Sequence, residues 1–245
     1  RAVRGGRAQA GRGEAHNVGG GGSMFSLLSG FFKWLFQKTE VQILIIGLDH
    51  AGKTTLLEQM KGIFQKSATQ IPLDRIPPTV GLNIGRMDIN NVRVIFWDLG
   101  GQVALRSIWD KYYSEAHGLI FVLDSADTGR FEEAQAAMES LISHPELAGV
   151  PLLVCANKMD LATARSVDEI DQYFQIECDV RDGNGGAASD EVGPLASRSL
   201  KAKRREKRLQ AVSALTCSGI EEGITWLVDS AVNNPDIIRA RSPGP

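Results

Sequence analysis

The sequence predicts an α/β fold, a six-stranded, mostly parallel sheet with helices on both faces and an amphipathic helix ahead of it. Three observations predict it. GLIFVLD (118–124) and PLLVCAN (151–157) are unbroken apolar runs, as strands covered on both faces are. Strand-like and helix-like segments then alternate along the chain, the pattern of a parallel sheet with crossover helices. Finally, VQILII (41–46) runs into GLDHAGKT (47–54) and then TTLLEQMK, which places a GxxxxGK[ST] loop between a buried strand and a helix.

Taken in order, residues 1–23 are rich in Gly and Arg and contain no aromatic residue, so they cannot bury enough apolar surface to offset ordering and are expected to be a disordered extension. The chain begins at Arg1, and Met24 is expected to be the natural start. MFSLLSGFFKWLFQK then puts bulky aromatics on one broad side of a helical wheel and Ser26, Ser29, Gly30, Lys33 and Gln37 on the other. This segment, 24–39, reads as an amphipathic helix suited either to a membrane surface or to packing on the domain. The domain proper is expected over 40–234. Leu82–Asp88 and Val92–Asp98 form a hairpin turned at Asn90-Asn91. Helices are expected at Phe131–Ser143, Val167–Phe174 and Ile220–Val232, with a last strand at Leu209–Ser213. Residues 177–208 fit neither pattern. They end in SRSLKAKRREKR, with seven basic residues from Arg198 to Arg208, and read as a surface insertion: a solvated loop, a nuclear signal or an anionic-lipid patch. Residues 235–245 are expected to be a flexible tail.

Composition narrows the function classes. A formal net charge of −2 supplies no global positive field, so no nucleic-acid partner is expected. The three cysteines (Cys155, Cys178, Cys217) are widely spaced and form no CxxC pair, which suits free thiols in a reducing compartment. No apolar run reaches the roughly 20 residues that span a bilayer. A monomer in the cytoplasm with reversible membrane contact is the expectation.

The chemistry lies in ordered motifs. Backbone N–H groups of Gly47, Leu48, Asp49, His50, Ala51 and Gly52, with the helix start at Lys53, Thr54 and Thr55, would cradle phosphates. Lys53 would reach the β- and γ-phosphates and the Thr54 hydroxyl would ligate Mg²⁺. His50 has no assigned role. Asn157-Lys158-Met159-Asp160 follows an apolar strand. A carboxylate at Asp160 can accept from guanine N1–H and the 2-amino group, a donor pair that adenine lacks. Asn157 would support the loop and Lys158 would lie along the ring. Ser213-Ala214-Leu215, after the next strand, would offer the Ala214 N–H to guanine O6. Trp97-Asp98-Leu99-Gly100-Gly101-Gln102 ends a strand, with Asp98 reaching Mg²⁺ through water, the Gly101 N–H suited to the γ-phosphate and Gln102 to orienting the attacking water. Thr79, in PTVG (78–81), would supply a second hydroxyl to the ion.

GLDHAGKTT, PTVGLNI, WDLGGQ, NKMD and SAL, in that order, resemble the ADP-ribosylation factor (Arf) family of small GTPases. MFSLLSGFFKWLFQK, GLNIG and DKYYSEAHGLIFVLDS resemble its Arf-related subfamily. The resemblance covers about Met24 to Asn234 and omits residues 1–23 and 177–208. It implies a P-loop NTPase fold of the small GTPase kind that binds GTP/GDP with Mg²⁺ and works as a switch. It also implies exchange-factor, GTPase-activating and effector partners, and a hairpin between the switches that shifts register and expels the N-terminal helix (24–38) onto a membrane. For the subfamily it implies peripheral association with Golgi or trans-Golgi membranes in vesicle-mediated protein transport. Phe25 follows Met24 where Arf proteins carry the myristoylated glycine, so that signal is absent. Only 24 residues separate Thr54 from Thr79, too few for a domain that supplies a catalytic arginine in cis. Intrinsic turnover is therefore expected to be slow, on the order of 10⁻⁴ per second. Two other readings stand beside this one: an ATPase or nucleoside kinase, which NKMD and SAL weigh against, and a module that holds GTP and scarcely hydrolyses it, which Gln102 weighs against.

Overall fold

A computed structural model describes residues 38–65, 71–176 and 205–241. The expected 1–23 extension and the 24–39 helix, apart from Lys38 and Thr39, lie outside the described residues, as does most of the 177–208 insertion. Among the described residues, six strands form one sheet in the order β2-β3-β1-β4-β5-β6. They are β1 (Glu40–Ile46), β2 (Leu82–Ile89), β3 (Val92–Leu99), β4 (Gly118–Asp124), β5 (Leu152–Asn157) and β6 (Lys207–Ala211). All pairings are parallel except the β2–β3 hairpin. Its turn residues Asn90 and Asn91 both have positive φ, 49° and 64°, the conformation whose twist matches the flanking strands.

Among the described residues, five α-helices flank the sheet: α1 (Lys53–Phe64), α2 (Phe131–Ile142), α3 (Val167–Phe174), α4 (Ile220–Val232) and α5 (Pro235–Arg241). Because side chains alternate across a strand, each central strand feeds two cores. Leu44, Ile46, Phe121 and Val154 pack on one side with Met138 and Leu141 of α2 and Ile170 and Phe174 of α3. Ile43, Ile45, Val122 and Leu153 pack on the other with Leu56, Leu57 and Met60 of α1 and Ile224 and Leu227 of α4. This two-sided covering explains the unbroken apolar runs in the sequence. α3 opens on a capping box: Ser166 Oγ accepts from the Glu169 N–H while the Glu169 carboxylate accepts from the Ser166 N–H.

Three expectations need correction. β6 begins at Lys207 rather than Leu209 and stops at Ala211. Lys207 and Arg208 pair with Leu152 and Leu153 at the sheet edge, where a charged side chain can still reach solvent, so the last residues of the expected insertion belong to the strand. Arg205 is likewise fixed, donating to the carbonyls of Ile142 and Leu147. The expected flexible tail from 235 instead opens with α5, because Ile237 is buried and Arg241 donates to the Glu146 carbonyl. No helix among the described residues is long and apolar enough to cross a membrane.

Candidate nucleotide site

The C-terminal ends of β1, β3, β5 and β6 point to one side of the sheet, and the loops that follow them carry the motifs. Two glycines permit the loop after β1. A Cβ on Gly47 would lie 2.3 Å from the Val122 carbonyl oxygen, and Gly52, at φ +94°, would place one 2.4 Å from Asn157 Nδ2. The helix starts at Lys53 with Gly52 as its N-cap, so the first N–H groups of α1 face the loop. Lys53 is buried and donates to the Leu48 carbonyl at 2.7 Å. Burial pulls its ammonium down to about 8, against the opposing pull of the Asp98 and Asp49 carboxylates.

Three oxygens converge below the loop. Thr54 Oγ1 lies 2.6 Å from Thr79 Oγ1 and donates to Asp98 Oδ2 at 2.7 Å, and Thr79 Oγ1 reaches the same carboxylate oxygen at 3.2 Å. Asp98 is fully buried, and its other oxygen, Oδ1, has no hydrogen-bond partner among the described residues. Burial raises its carboxyl pKa, opposed by the Thr54 hydroxyl, by Lys53, by the Thr79 hydroxyl and by the Asn83 side chain. A buried carboxylate oxygen without a donor is costly unless something else satisfies it. No group of three His, Cys, Asp or Glu side chains among the described residues could cage a metal. Two hydroxyls and one carboxylate do fit a hard cation that takes its remaining ligands from phosphate and water, as Mg²⁺ does.

Gly100-Gly101 lies directly against the loop. A Cβ on Gly101 would sit 2.4 Å from the Asp49 nitrogen and 2.5 Å from the Gly47 carbonyl oxygen, so the two backbones touch where no side chain fits. The Gly100 carbonyl accepts from Trp109 Nε1 at 3.0 Å. Gln102 is exposed and caps a 3₁₀ segment, Val103–Glu115, which the sequence reading missed. A cleft of about 350 Å³ runs between these parts, lined by Asp49, His50, Gly52, Lys53, Thr54, Thr55, Thr79, Gly101, Gln102 and Lys158. Ile76, Pro77 and Pro78 close it on the side of Thr79 and had not been foreseen.

The base-side motifs meet across two strands. Asn157 Nδ2 donates to the Ala51 carbonyl at 2.8 Å, tying this loop to the phosphate loop. Lys158 takes φ 65° and reaches Asp124 Oδ2 at 2.6 Å, an anchor absent from the sequence reading although Asp124 ends β4 beside it. Ser213 Oγ donates to Asp160 Oδ1 at 2.5 Å, while Leu215 is exposed. One detail departs from expectation: the Ala214 N–H, assigned to guanine O6, donates to Asn157 Oδ1 at 2.9 Å. Ala214 is buried, and a buried N–H takes the acceptor its surroundings provide.

Comparison with known proteins resolves what this arrangement belongs to. Residues 28–231 match the model of the ADP-ribosylation factor family. The chain is an Arf-family small GTPase. It is 46% identical over 211 residues to ADP-ribosylation factor-related protein 1 of Rattus norvegicus, covering 86% of this chain and 94% of the relative. The Homo sapiens protein of the same name gives the same identity and coverage. ADP-ribosylation factor-like protein 3 of Saccharomyces cerevisiae is 35% identical over 206 residues, 84% of this chain and 92% of the relative. Among solved structures, the Arl6 BBS3 small GTPase of Trypanosoma brucei with the bound nucleotide analogue GppNp superposes with a TM-score of 0.60 at 27% identity, covering 80% of this chain and 99% of that one. Arf proteins are guanine-nucleotide switches that hydrolyse GTP and engage exchange factors, activating proteins and effectors, and this chain is one of them.

Proposed function

We propose that this Arf-family GTPase binds GTP with Mg²⁺ through Thr54, Thr79 and Asp98, selects guanine through Asp160, and hydrolyses GTP slowly through a water held by Gln102. The observation that carries the reading is the meeting of both threonine hydroxyls on one oxygen of Asp98 while the other oxygen stays buried with no hydrogen bond among the described residues. Thr54 and Thr79 would hold the ion directly and Asp98 through water, and an ion held there would offset charge on the β- and γ-phosphates. Lys53 releases the Leu48 carbonyl and takes phosphate oxygens, exchanging a neutral acceptor for charged ones. The amides of Gly47 to Thr55 and of Gly101 supply neutral donors around the chain of phosphates. Gln102 orients the water whose oxygen attacks the γ-phosphorus. The bond to the β,γ-bridging oxygen breaks, and GDP and phosphate leave. Asp160, already aligned by Ser213, accepts from the guanine edge, and Asn157 holds the loop. The Ala214 N–H reaches O6 only by sharing its bond with Asn157, and Leu215 flanks the base.

Recruitment to Golgi-type membranes in vesicle-mediated protein transport is the cellular role we assign. It is supported by the 46% identity to the Arf-related proteins and by the aromatic, amphipathic pattern of 24–38. In that reading 1–23 is an extension and the domain begins near residue 40. The decisive measurement is affinity for GTP against ATP in magnesium. Guanine should be favoured by at least about 10³-fold, because adenine offers the Asp160 carboxylate no pair of donors; equal affinities would sink the assignment. Gln102→Leu should leave GTP binding intact and slow stimulated hydrolysis by at least about 100-fold. Flotation with Golgi-composition liposomes should recover a Met24-start protein loaded with GTP but not with GDP.

A further inference from the structure

Four charged side chains link α2, the Gly101–Gln102 segment and the phosphate loop. Glu133 on α2 accepts from two arginines at once: Arg106 Nη2 lies 2.6 Å from Oε1 and Arg130 Nε lies 2.8 Å from Oε2. Arg130 extends to the loop, with Nη2 at 2.8 Å from Asp49 Oδ1 and Nη1 at 3.2 Å from the Asp49 carbonyl. Arg106 extends to the switch, where Nε donates to the Gly101 carbonyl at 2.9 Å, and its Nη2 stands 4.0 Å from Asp49.

An isolated exposed pair would be worth little. Here each guanidinium holds two partners in fixed fork geometry, and the carboxylate between them is held down to about 2 by Arg130 and Arg106. Two further facts give the cluster a task. The Gln102 side chain makes no hydrogen bond among the described residues, so its position follows from the backbone of Gly101. That backbone is pressed on the phosphate loop from one side and gripped by Arg106 at its carbonyl from the other. Asp49 also lines the phosphate cleft, where an uncompensated carboxylate would repel a triphosphate.

We propose that Arg106 and Glu133 are positioning residues for hydrolysis: with Arg130 they clamp Gly101–Gln102 onto the phosphate loop and neutralise Asp49. Arg106 lies outside the cleft lining and is engaged by Gly101 and Glu133, so it acts on the water through Gln102 rather than on phosphate. The proposal rests on the role given to Gln102 above.

Glu133→Gln and Arg106→Ala, in the full chain, test it. GTP single-turnover rate is measured beside affinities for GDP and for a non-hydrolysable GTP analogue, with thermal melting as the folding control. Each variant should lose about tenfold or more in single-turnover rate, the scale of a small misplacement. Analogue affinity should fall several-fold and GDP affinity stay within about twofold. The R106A/E133Q double variant should be no slower than the slower single variant, since both act through one clamp. Arg106→Lys keeps the charge but loses the Nε donor and should not rescue. Unchanged rates in Glu133→Gln, with only a lower Tm, overturn the proposal. If the unsubstituted protein fails to prefer GTP over ATP, the site reading beneath it is overturned instead, before any variant is made.

Discussion

At the scale of single residues, the phosphate site depends on where side chains are missing as much as on where they stand. Gly101 lies hard against the backbone of Gly47 to Asp49, so a methyl group there must push the segment away. Gly101→Ala should keep GDP binding within a few-fold while single-turnover hydrolysis drops about 100-fold, the cost of roughly an ångström of misplacement; nucleotide titration and quenched-flow assays check both halves. The motifs fix residue type and order, so the meeting of Thr54, Thr79 and Asp98, the seat of Lys53 at the loop and the nearness of Ser213 to Asp160 could be expected from the sequence. The partner of Ala214 could not, and neither could the Asp124 anchor of Lys158. Those bonds join segments far apart in sequence, and no spacing rule says which buried acceptor an N–H will meet.

At the scale of elements, strands and long helices came through because burial stamps a period on them. α3 and α4 fall where the pattern put them. The Val103–Glu115 segment was passed over although Leu105, Ile108, Trp109, Tyr112 and Tyr113 recur at i, i+3, i+4, i+7 and i+8, a stripe in which Trp109 and Tyr113 are buried. α5 was hidden because seven residues at the end of the described chain carry too little periodicity to oppose the expectation of fraying. Its contact is real packing, with Ile237 buried in the core that also holds Leu147 and Val150. Ile237→Ala should therefore cost about 2 kcal/mol in urea denaturation, the low end for a buried aliphatic truncation because a terminal helix can settle. No measurable loss would return 235–241 to a tail.

Across the whole molecule, β1 and β4 are pinned at their starts by His117. Its backbone N–H donates to the Gln42 carbonyl at 2.7 Å, and its Nδ1 accepts from the Gln42 N–H at 3.2 Å. Burial, with Arg241 adding repulsion, holds the imidazole down to about 4. The folded state thus binds fewer protons than the unfolded chain between pH 4 and the ordinary histidine value near 6.5. This group's contribution is fully present above about 6.5 and is lost as pH falls towards 4, by up to roughly 3 kcal/mol. Denaturation midpoints at pH 7 and pH 5 should differ, and His117→Asn, which keeps an acceptor for the Gln42 N–H, should flatten that difference.

The parallel pairing of β6 has a practical consequence. α3 runs back from the nucleotide loops and ends at Phe174, and β6 sets out again from Lys207, so the described residues Ile176 and Arg205 lie at the pole of the sheet remote from Lys53 and Asp160. That pole is a natural port for engineering: a fluorescent reporter or affinity handle joined directly after Ile176 or directly before Arg205 would be attached at the end of the sheet opposite its ligand.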